Sequence, residues 1–314
     1  MVESLVNPLP LLVVVLGPTG SGKTSLSVAL GQQFNGEIVS CDSVAVYCGL
    51  EIGSAKPSPE QRRQVPHHLL DVVTPDAFYT AGDYARSARA AVAAVAGRGR
   101  LPIVSGGTGL YLRALLQGLS PSPQRSAVLR ERLQHKAETQ GPGALHRILQ
   151  RLDPASATRI HANDLGKVIR AIEVRLASGR QMSEIWKEGH EALAGYRVLR
   201  LGLNPEREHF YERINARAAA MFAEGLVEET RELIARYGRT PALASLGYRQ
   251  AADYLEGALT LQQAIAAASQ GHRNYAKRQL TWFRREPEVC WLNGFGDDAA
   301  VHAEAERLVA QAKT

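Results

Sequence analysis

The segment GPTGSGKT at residues 17–24 is the part of this 314-residue chain whose residue types and spacing most clearly indicate chemistry. It matches the pattern G-x-x-x-x-G-K-[ST], in which glycines let the backbone curl until several N–H groups point at phosphate oxygens. Lys23 adds a positive charge, and the Thr24 hydroxyl can bind Mg²⁺. We therefore predict a phosphate-binding loop that consists of Gly17, Pro18, Thr19, Gly20, Ser21, Gly22, Lys23 and Thr24.

One carboxylate is well placed to act beside this loop. Asp42 follows the short apolar run 38–40, and open α/β sheets bind ligands where their strands end. It could serve as a Mg²⁺ ligand, as a general base or only as a residue that caps a turn. A nucleotide hydrolase would also need a carboxylate after the strand-like run 101–104, where Ser105 to Thr108 stand instead. The loop therefore predicts phosphate binding without predicting hydrolysis.

The elements around these residues alternate between strand and helix patterns. The run LLVVVL at 11–16 is typical of a strand that is buried on both faces of a parallel sheet. Helical spacing follows at 24–34, then a short strand at 38–40, a helix at 84–96 and a strand at 101–104. This alternation predicts an α/β fold with a P-loop NTPase-like parallel sheet core.

A turn-rich joint at 118–124 ends this alternation. Helical patterns then occupy 126–140, 143–152 and 165–177, and the next strand-like run is 198–203. We therefore predict a helical insertion domain at 121–195, within a core that is formed by 1–120 and 196–314. After Asn204-Pro205 the pattern predicts an almost wholly helical C-terminal part.

Composition excludes several classes of protein. Hydrophobic residues make up 45% and charged residues 22%, which is normal for a globular chain and excludes a disordered or fibrous one. The three cysteines include no C-x-x-C pair, which excludes a zinc ribbon and suits a reducing compartment. No apolar run approaches the roughly 18 residues that a membrane span needs. We expect a cytoplasmic protein without a membrane anchor.

The net charge of +6 is concentrated in one segment. Residues 1–120 hold nine basic and eight acidic residues, whereas the five basic residues and one acidic residue of 270–286 give that segment a net charge of +4. At 100° per residue, Arg273, Lys277 and Arg284 fall within about 40° of one another on a helix. A separate apolar stripe consists of Ala276, Leu280 and Phe283. The pattern indicates a docked helix whose basic face is either free for phosphates or merely solvated.

Several segments together resemble one family, the bacterial tRNA dimethylallyltransferases, also called tRNA isopentenyltransferases. Besides GPTGSGKT, the matching segments are SCDSVAVYCGLEIGSAKP (40–57), PHHLLDVVTP (66–75), GGTGLYLRAL (106–115), HANDLGKVIRAIEV (161–174), SLGYRQ (245–250) and KRQLTWFRR (277–285). The resemblance extends over about residues 10–295, and the combination of these motifs is highly specific. Two positions depart from the family pattern: Ala45 stands where many members have Gln, and Gly166 where a basic or amide residue is frequent.

The resemblance implies a reaction and a set of site residues. A dimethylallyl group would pass from dimethylallyl diphosphate to N6 of adenine 37 in tRNAs that read codons starting with U, with Mg²⁺ as cofactor. Asp42 would act as the base, Lys23 and Arg217 would hold the leaving diphosphate, and Thr108 would contact the adenine region. The implied contacts to the tRNA anticodon stem-loop are Asp42, Ser43, Val44, Ala45, Thr108, Lys167, Arg170, Gly247, Tyr248, Arg249, Arg273, Lys277, Arg278, Gln279, Thr281, Trp282 and Arg284.

Other functions stay open at this point. A P-loop kinase would need ATP and a small acceptor, and an isopentenyltransferase for free adenine nucleotide would not need the basic helix. A non-catalytic RNA-binding protein with a relic P-loop is disfavoured by the intact Lys23, Thr24 and Asp42. No obligate protein partner is evident, so we expect a monomer.

Overall fold

A parallel sheet forms the centre of the computed structural model, which describes residues 9–123, 125–188 and 190–314. The strands are β1 (Leu11–Leu16), β2 (Gly36–Ser40), β3 (His67–His68), β4 (Leu101–Gly106), β5 (Arg197–Leu203) and β6 (Val289–Leu292). They lie in the order β3-β2-β4-β1-β5-β6, and every neighbouring pair is parallel. The predicted α/β fold with a parallel sheet is confirmed.

Helices account for most of the remaining chain. In chain order they are α1 (Lys23–Gln33), α2 (Pro59–Gln64), α3 (Ala81–Gly97), α4 (Gly109–Leu116), α5 (Ala127–Gln140), α6 (Pro142–Leu152), α7 (Pro154–Arg159), α8 (Leu165–Ser178), α9 (Met182–Ile185), α10 (Arg207–Ala223), α11 (Leu226–Tyr237), α12 (Tyr248–Leu255), α13 (Leu261–Phe283) and α14 (Ala299–Lys313). Across the described ranges, none of these helices is long and apolar enough to span a membrane.

Strand β1 shows why the phosphate-binding loop has a fixed base. All six of its residues are buried, and it pairs with β4 on one side and β5 on the other. Val13 and Val15 pack into a core layer with α1 and α14, whereas Leu12 and Val14 pack on the other face with α3 and α4. Because both faces are covered, the strand is apolar throughout rather than alternating.

Helix α3 begins three residues earlier than the helix predicted at 84–96, and the reason is local. The Thr80 hydroxyl accepts a hydrogen bond from the Asp83 N–H at 3.2 Å, and the Asp83 carboxylate accepts one from the Thr80 N–H at 2.9 Å. This reciprocal capping box satisfies two N–H groups that would otherwise lack partners and fixes the start of the helix.

The insertion forms a compact unit of its own, residues 117–192, while the rest of the described chain forms the other unit. It consists of α5 to α9, whose apolar side chains form a separate core that includes Leu145 and Val168. The buried Glu173 carboxylate accepts hydrogen bonds from the Ser126 N–H at 2.7 Å and from Arg170 at 2.9 Å.

The prediction of an almost wholly helical C-terminal part is wrong at one place. Strand β6, with the sequence VCWL, extends the sheet beside β5, with Leu201 opposite Cys290. Four residues are too few to show strand periodicity, and the pairing partner lies almost ninety positions earlier in the chain.

Candidate active site

Three loops meet at the carboxyl edge of the sheet and enclose a cavity of about 320 Å³. The phosphate-binding loop follows β1, the loop with Asp42 follows β2, and Gly107 follows β4. Helices α10 and α13 close the cavity from the other side with Arg217 and Tyr275. The edge where parallel strands end is the usual ligand-binding position in such sheets.

The phosphate-binding loop has the geometry of an anion cradle. Gly20 and Gly22 have φ values of 82° and 87°, a left-handed conformation that residues other than glycine rarely adopt. Helix α1 begins at Lys23, directly after Gly22, and the N-cap Gly22 has no side chain that could cap its first N–H groups. Those N–H groups and the positive end of the helix dipole are therefore left for an anion.

Two cations, Lys23 and Arg217, line this cradle. Among the described residues, neither has a carboxylate at ion-pair distance. Lys23 Nζ donates a hydrogen bond to the Pro18 carbonyl at 2.8 Å, and Arg217 Nη1 donates one to Thr19 Oγ1 at 3.3 Å. Burial and the neighbouring Arg217 lower the pKa of Lys23 to about 8, and burial likewise lowers the pKa of Arg217. Because buried charges need a counter-charge, this pair indicates a site for a polyanion.

Asp42 is the only carboxylate among the described residues that line the cavity. Its Oδ1 accepts hydrogen bonds from the N–H groups of Val44 at 2.8 Å and Ala45 at 3.2 Å. Neither of these donors reaches Oδ2, which is the oxygen left for a substrate. The Thr108 Oγ1 accepts from the Ser43 N–H at 3.1 Å, so the loop after β4 holds the loop with Asp42 in place.

The donor set of the cavity fits Mg²⁺. The Thr24 hydroxyl and the Asp42 carboxylate line the same space, and both are hard oxygen donors of the kind that Mg²⁺ prefers. The described ranges contain no cluster of three or more acidic, His or Cys side chains that could form a cage by themselves. Mg²⁺ usually binds with one or two protein oxygens and completes its shell with water and substrate phosphates.

The end of helix α13 and the two residues that follow it present an exposed basic surface, which consists of Lys277, Arg278, Arg284 and Arg285 and is called the basic surface below. Within the described chain, none of these four residues takes part in a salt bridge. The Thr281 hydroxyl, also exposed, donates to the Lys277 carbonyl at 2.9 Å. Of the three residues of the predicted basic face, Lys277 and Arg284 are thus exposed, but Arg273 is not part of the basic surface because it donates hydrogen bonds to Asn215 and Gln270.

Two residues for which an RNA contact was predicted point into the protein. Tyr248 is fully buried; its hydroxyl donates to the Glu229 carboxylate at 2.5 Å and accepts from the Gly53 N–H at 3.1 Å. Gln279 is only 5% exposed and is hydrogen-bonded inside the site. A direct RNA contact through either side chain would require it to leave these partners.

The other predicted RNA contacts outside the insertion unit differ in exposure. Arg249 is exposed, whereas its neighbour Gly247 is buried and forms the N-cap of α12. Trp282 is half-buried, with Arg113 stacked on its ring at 4.4 Å. Ala45 is buried at the cavity wall, so its small side chain leaves space there that a longer one would fill.

Within the insertion unit, the two predicted RNA contacts also differ. Lys167 is exposed and pairs with Asp164 in the first turn of α8. Arg170 is occupied by the buried Glu173 and by the Pro123 carbonyl, to which it donates at 2.7 Å. Lys167 is therefore the more available cation of the two.

Sequence reasoning missed Arg213 and the loop that holds it. Arg213 lines the cavity one helical turn before Arg217 and pairs with Asp297 at 2.8 Å. In the same loop after β6, the Gly296 N–H donates to the Ser21 carbonyl at 2.8 Å, which packs this backbone against the cradle. The i, i+4 spacing of the two arginines was the signal that could have identified Arg213.

Tyr275 is a second residue that sequence reasoning left without a role in the site. It lines the cavity, and burial and the Asp42 charge raise the pKa of its hydroxyl to about 12. The phenol therefore stays neutral and can donate a hydrogen bond close to the carboxylate.

Comparison with known proteins gives one consistent family. The model of the family described as IPP transferase matches residues 45–286. The tRNA dimethylallyltransferase of Koribacter versatilis is 61% identical over 96% of this chain and 98% of its own length. The protein of the same name from Solibacter usitatus is 50% identical over 96% of this chain and 98% of its own length.

Solved structures agree. A full-length tRNA isopentenylpyrophosphate transferase from Bacillus halodurans is 36% identical, with a TM-score of 0.71 over 96% of both chains. A eukaryotic dimethylallyltransferase that acts on tRNA is 25% identical, with a TM-score of 0.81 over 96% of this chain and 80% of its own.

Proposed function

This chain belongs to the IPP transferase family, and from that premise we propose that it transfers a dimethylallyl group from dimethylallyl diphosphate to N6 of an adenine in tRNA. The observation that carries the proposal is the single cavity in which Asp42 faces the cradle cations Lys23 and Arg217. One carboxylate opposite an anion site suits a reaction that deprotonates a nucleophile while diphosphate leaves.

The cradle supports the departure of diphosphate. Negative charge builds up on the leaving group as its bond to the allylic carbon breaks, and fixed donors stabilise that charge most when they are already in place. The N–H groups at the start of α1, Lys23 and Arg217 provide such donors. When bound, Mg²⁺ would be held by Thr24 and neutralise part of the same charge.

Asp42 supports the attack on the allylic carbon. The N6 amine of adenine is a weak nucleophile because its lone pair is delocalised into the ring. As the new N6–C1 bond forms and the C1–O bond to diphosphate breaks, Oδ2 of Asp42 takes a proton from N6. The two N–H donors on Oδ1 keep the carboxylate oriented during this transfer.

The acceptor adenine has to leave its base stack to reach this cavity. Extrusion costs about a few kcal/mol, and it costs least in loops whose bases are already unpaired. Adenine 37, next to the anticodon of tRNAs that read codons starting with U, is the acceptor that we propose. Ser43, Val44 and Thr108 are the residues beside Asp42 that would meet the extruded base.

The basic surface on α13 would bind the anticodon arm through its phosphates. Lys167 would add a phosphate contact from the insertion unit. The proposal places the reaction in the cytoplasm, a reducing compartment that contains tRNA and suits the three free cysteines. One chain carries all the residues that the proposed reaction needs, so the proposed enzyme is a monomer.

The test uses radiolabelled dimethylallyl diphosphate and Mg²⁺ with unmodified tRNA, with AMP, or with no acceptor. We expect label in tRNA only, in one nucleoside of the anticodon loop after nuclease digestion. Label in AMP alone would indicate the free-nucleotide enzyme, and tRNA binding without label would indicate a non-catalytic RNA-binding protein. Transfer of the γ-phosphate of labelled ATP to a small acceptor, with no prenyl transfer, would indicate a kinase.

A further inference from the structure

The side-chain amide of Gln279 connects three parts of the site. Gln279 lies in the last turns of α13 and is only 5% exposed. Its Oε1 accepts a hydrogen bond from the Thr19 N–H at 2.8 Å, and its Nε2 donates one to the Gly107 carbonyl at 2.8 Å. One amide thus bonds α13 to the cradle and to the loop after β4.

Both hydrogen bonds end next to groups that the proposed reaction uses. Thr19 belongs to the cradle, and its hydroxyl accepts from Arg217. Gly107 precedes Thr108, which binds the Ser43 N–H next to Asp42. The amide therefore sets the spacing between the diphosphate side and the carboxylate side of the cavity.

The contact is too tight to tolerate a shift of the helix. A Cβ on Gly107 would lie 2.2 Å from Nε2 of Gln279, and a Cβ on Gly109 would lie 2.4 Å from the Trp282 ring. The inner face of α13 is thus fitted against Gly107 in the loop after β4 and Gly109 at the start of α4. A displacement of the helix must displace this loop or break the amide bonds.

Lys277 lies on the opposite, exposed face of the same two turns, Arg278 is exposed beside it, and Arg284 follows as the C-cap of the helix. A helix of this length behaves as one rigid element on the scale of a single turn. RNA phosphates that hold the outer face therefore also hold Gln279, Thr19 and Gly107. Phosphate on the outer face and diphosphate in the cradle therefore both stabilise the arrangement in which the amide bonds are formed, relative to one in which they are broken, so each ligand favours binding of the other.

We propose that Gln279 is a positioning residue that couples RNA binding on the basic surface to diphosphate binding in the cradle. The inference rests on the proposed function, because it requires tRNA on that surface. By linkage, tRNA tightens diphosphate binding by the same factor as diphosphate tightens tRNA binding. The coupling is carried by the two hydrogen bonds of one amide.

The experiment measures the Kd of inorganic diphosphate with Mg²⁺ by calorimetry, without and with saturating unmodified tRNA. In the wild type, tRNA should lower this Kd by about fivefold or more, the lower end of usual couplings between sites. Gln279→Met keeps the side-chain length but removes both hydrogen bonds. In this variant the ratio of the Kd without tRNA to the Kd with tRNA should fall to about one. The Kd of tRNA alone should change less than about threefold, because the basic surface is intact.

Gly107→Ala breaks the same connection from the other side, since the new Cβ displaces the Gln279 amide. It should reproduce the loss of coupling, and the double variant should be no worse than either single one, as expected for two changes to one interaction. Gln262→Met is the matched control, because Gln262 lies on the exposed start of the same helix.

The possible outcomes are distinct. If the Kd of diphosphate is the same without and with tRNA in folded wild-type protein that binds tRNA normally, the coupling is overturned. A ratio that survives in both Gln279→Met and Gly107→Ala would show that the amide does not carry it. Failure of the wild type to bind tRNA at all would instead reject the proposed function.

Discussion

The cradle and the basic surface hold the same kinds of side chain in opposite surroundings. In the cradle, Lys23 and Arg217 are enclosed, and burial lowers the pKa of both. On the basic surface, Lys277 and Arg284 are exposed and free of salt bridges within the described chain. Both regions can bind negatively charged groups, but only the cradle holds such a group at a fixed position.

The difference predicts two kinds of energetics. Enclosed charges act at short range in a medium of low polarity, so each is strong and depends on geometry. Exposed charges are screened over about 8 Å at physiological salt, so each contributes little and their effects add. Loss of one group from the cavity should stop turnover, whereas loss of one surface cation should only weaken binding.

The largest effect is expected for Asp42→Asn. The amide oxygen can still accept from the Val44 and Ala45 N–H groups, but the side chain no longer accepts a proton. Single-turnover rates should fall by about 10²–10⁴-fold, with tRNA affinity nearly unchanged. Asp76→Asn, at an exposed position, is the control. A loss of less than tenfold would exclude Asp42 as the base.

A smaller and pH-dependent effect is expected for Lys23. Because its pKa is lowered to about 8, the free cradle holds a charged ammonium below pH 8 and loses it above. Bound diphosphate favours the charged form, so the Kd of dimethylallyl diphosphate should be flat below pH 8 and rise up to about tenfold per unit above it. Lys23→Met should bind weakly with no such rise, and an equal slope in this variant would assign the titration to another group.

The smallest effect is expected for single changes on the basic surface. Lys277→Ala or Arg284→Ala should each reduce the slope of log affinity for tRNA against log salt by about 0.7–0.9, the value for one phosphate contact. Binding of dimethylallyl diphosphate alone should stay the same. Arg236→Ala, an exposed charge on α11, should leave the slope unchanged. Equal slopes in all of these variants would remove the basic surface from the RNA interface.

The sequence predicted the parts of the site whose signals are local. An apolar strand, a glycine-rich turn and a helix occur within the 23 consecutive residues 11–33, so β1, the cradle and α1 could be predicted directly. Residue periodicity also predicted the free face of α13. It could not identify the partners of the inner face, because Gln279 bonds to Thr19 across 260 positions of the chain.

The same limit explains why the partners of Arg273 and Tyr248 could not be predicted from the sequence. A period of 100° places Arg273 beside Lys277 on α13, but only the packing of α10 against it shows that Asn215 takes its guanidinium. Tyr248 lies in a motif whose resemblance implied RNA contact, yet its hydroxyl binds Glu229 and Gly53 in the interior. Pattern shows which residues share a face, and the tertiary fold decides what that face meets.

The contact between Gly296 and Ser21 has a consequence for the protein while it is being made. The ribosome adds residues from the amino end, and the Gly296 N–H that binds the Ser21 carbonyl is synthesised 275 positions later. At a synthesis rate of roughly 5–20 residues per second, about 15–55 s pass between the synthesis of Ser21 and that of Gly296. Strand β5, which flanks β1, also emerges late. The phosphate-binding loop is thus synthesised long before the segments of the chain that complete its surroundings.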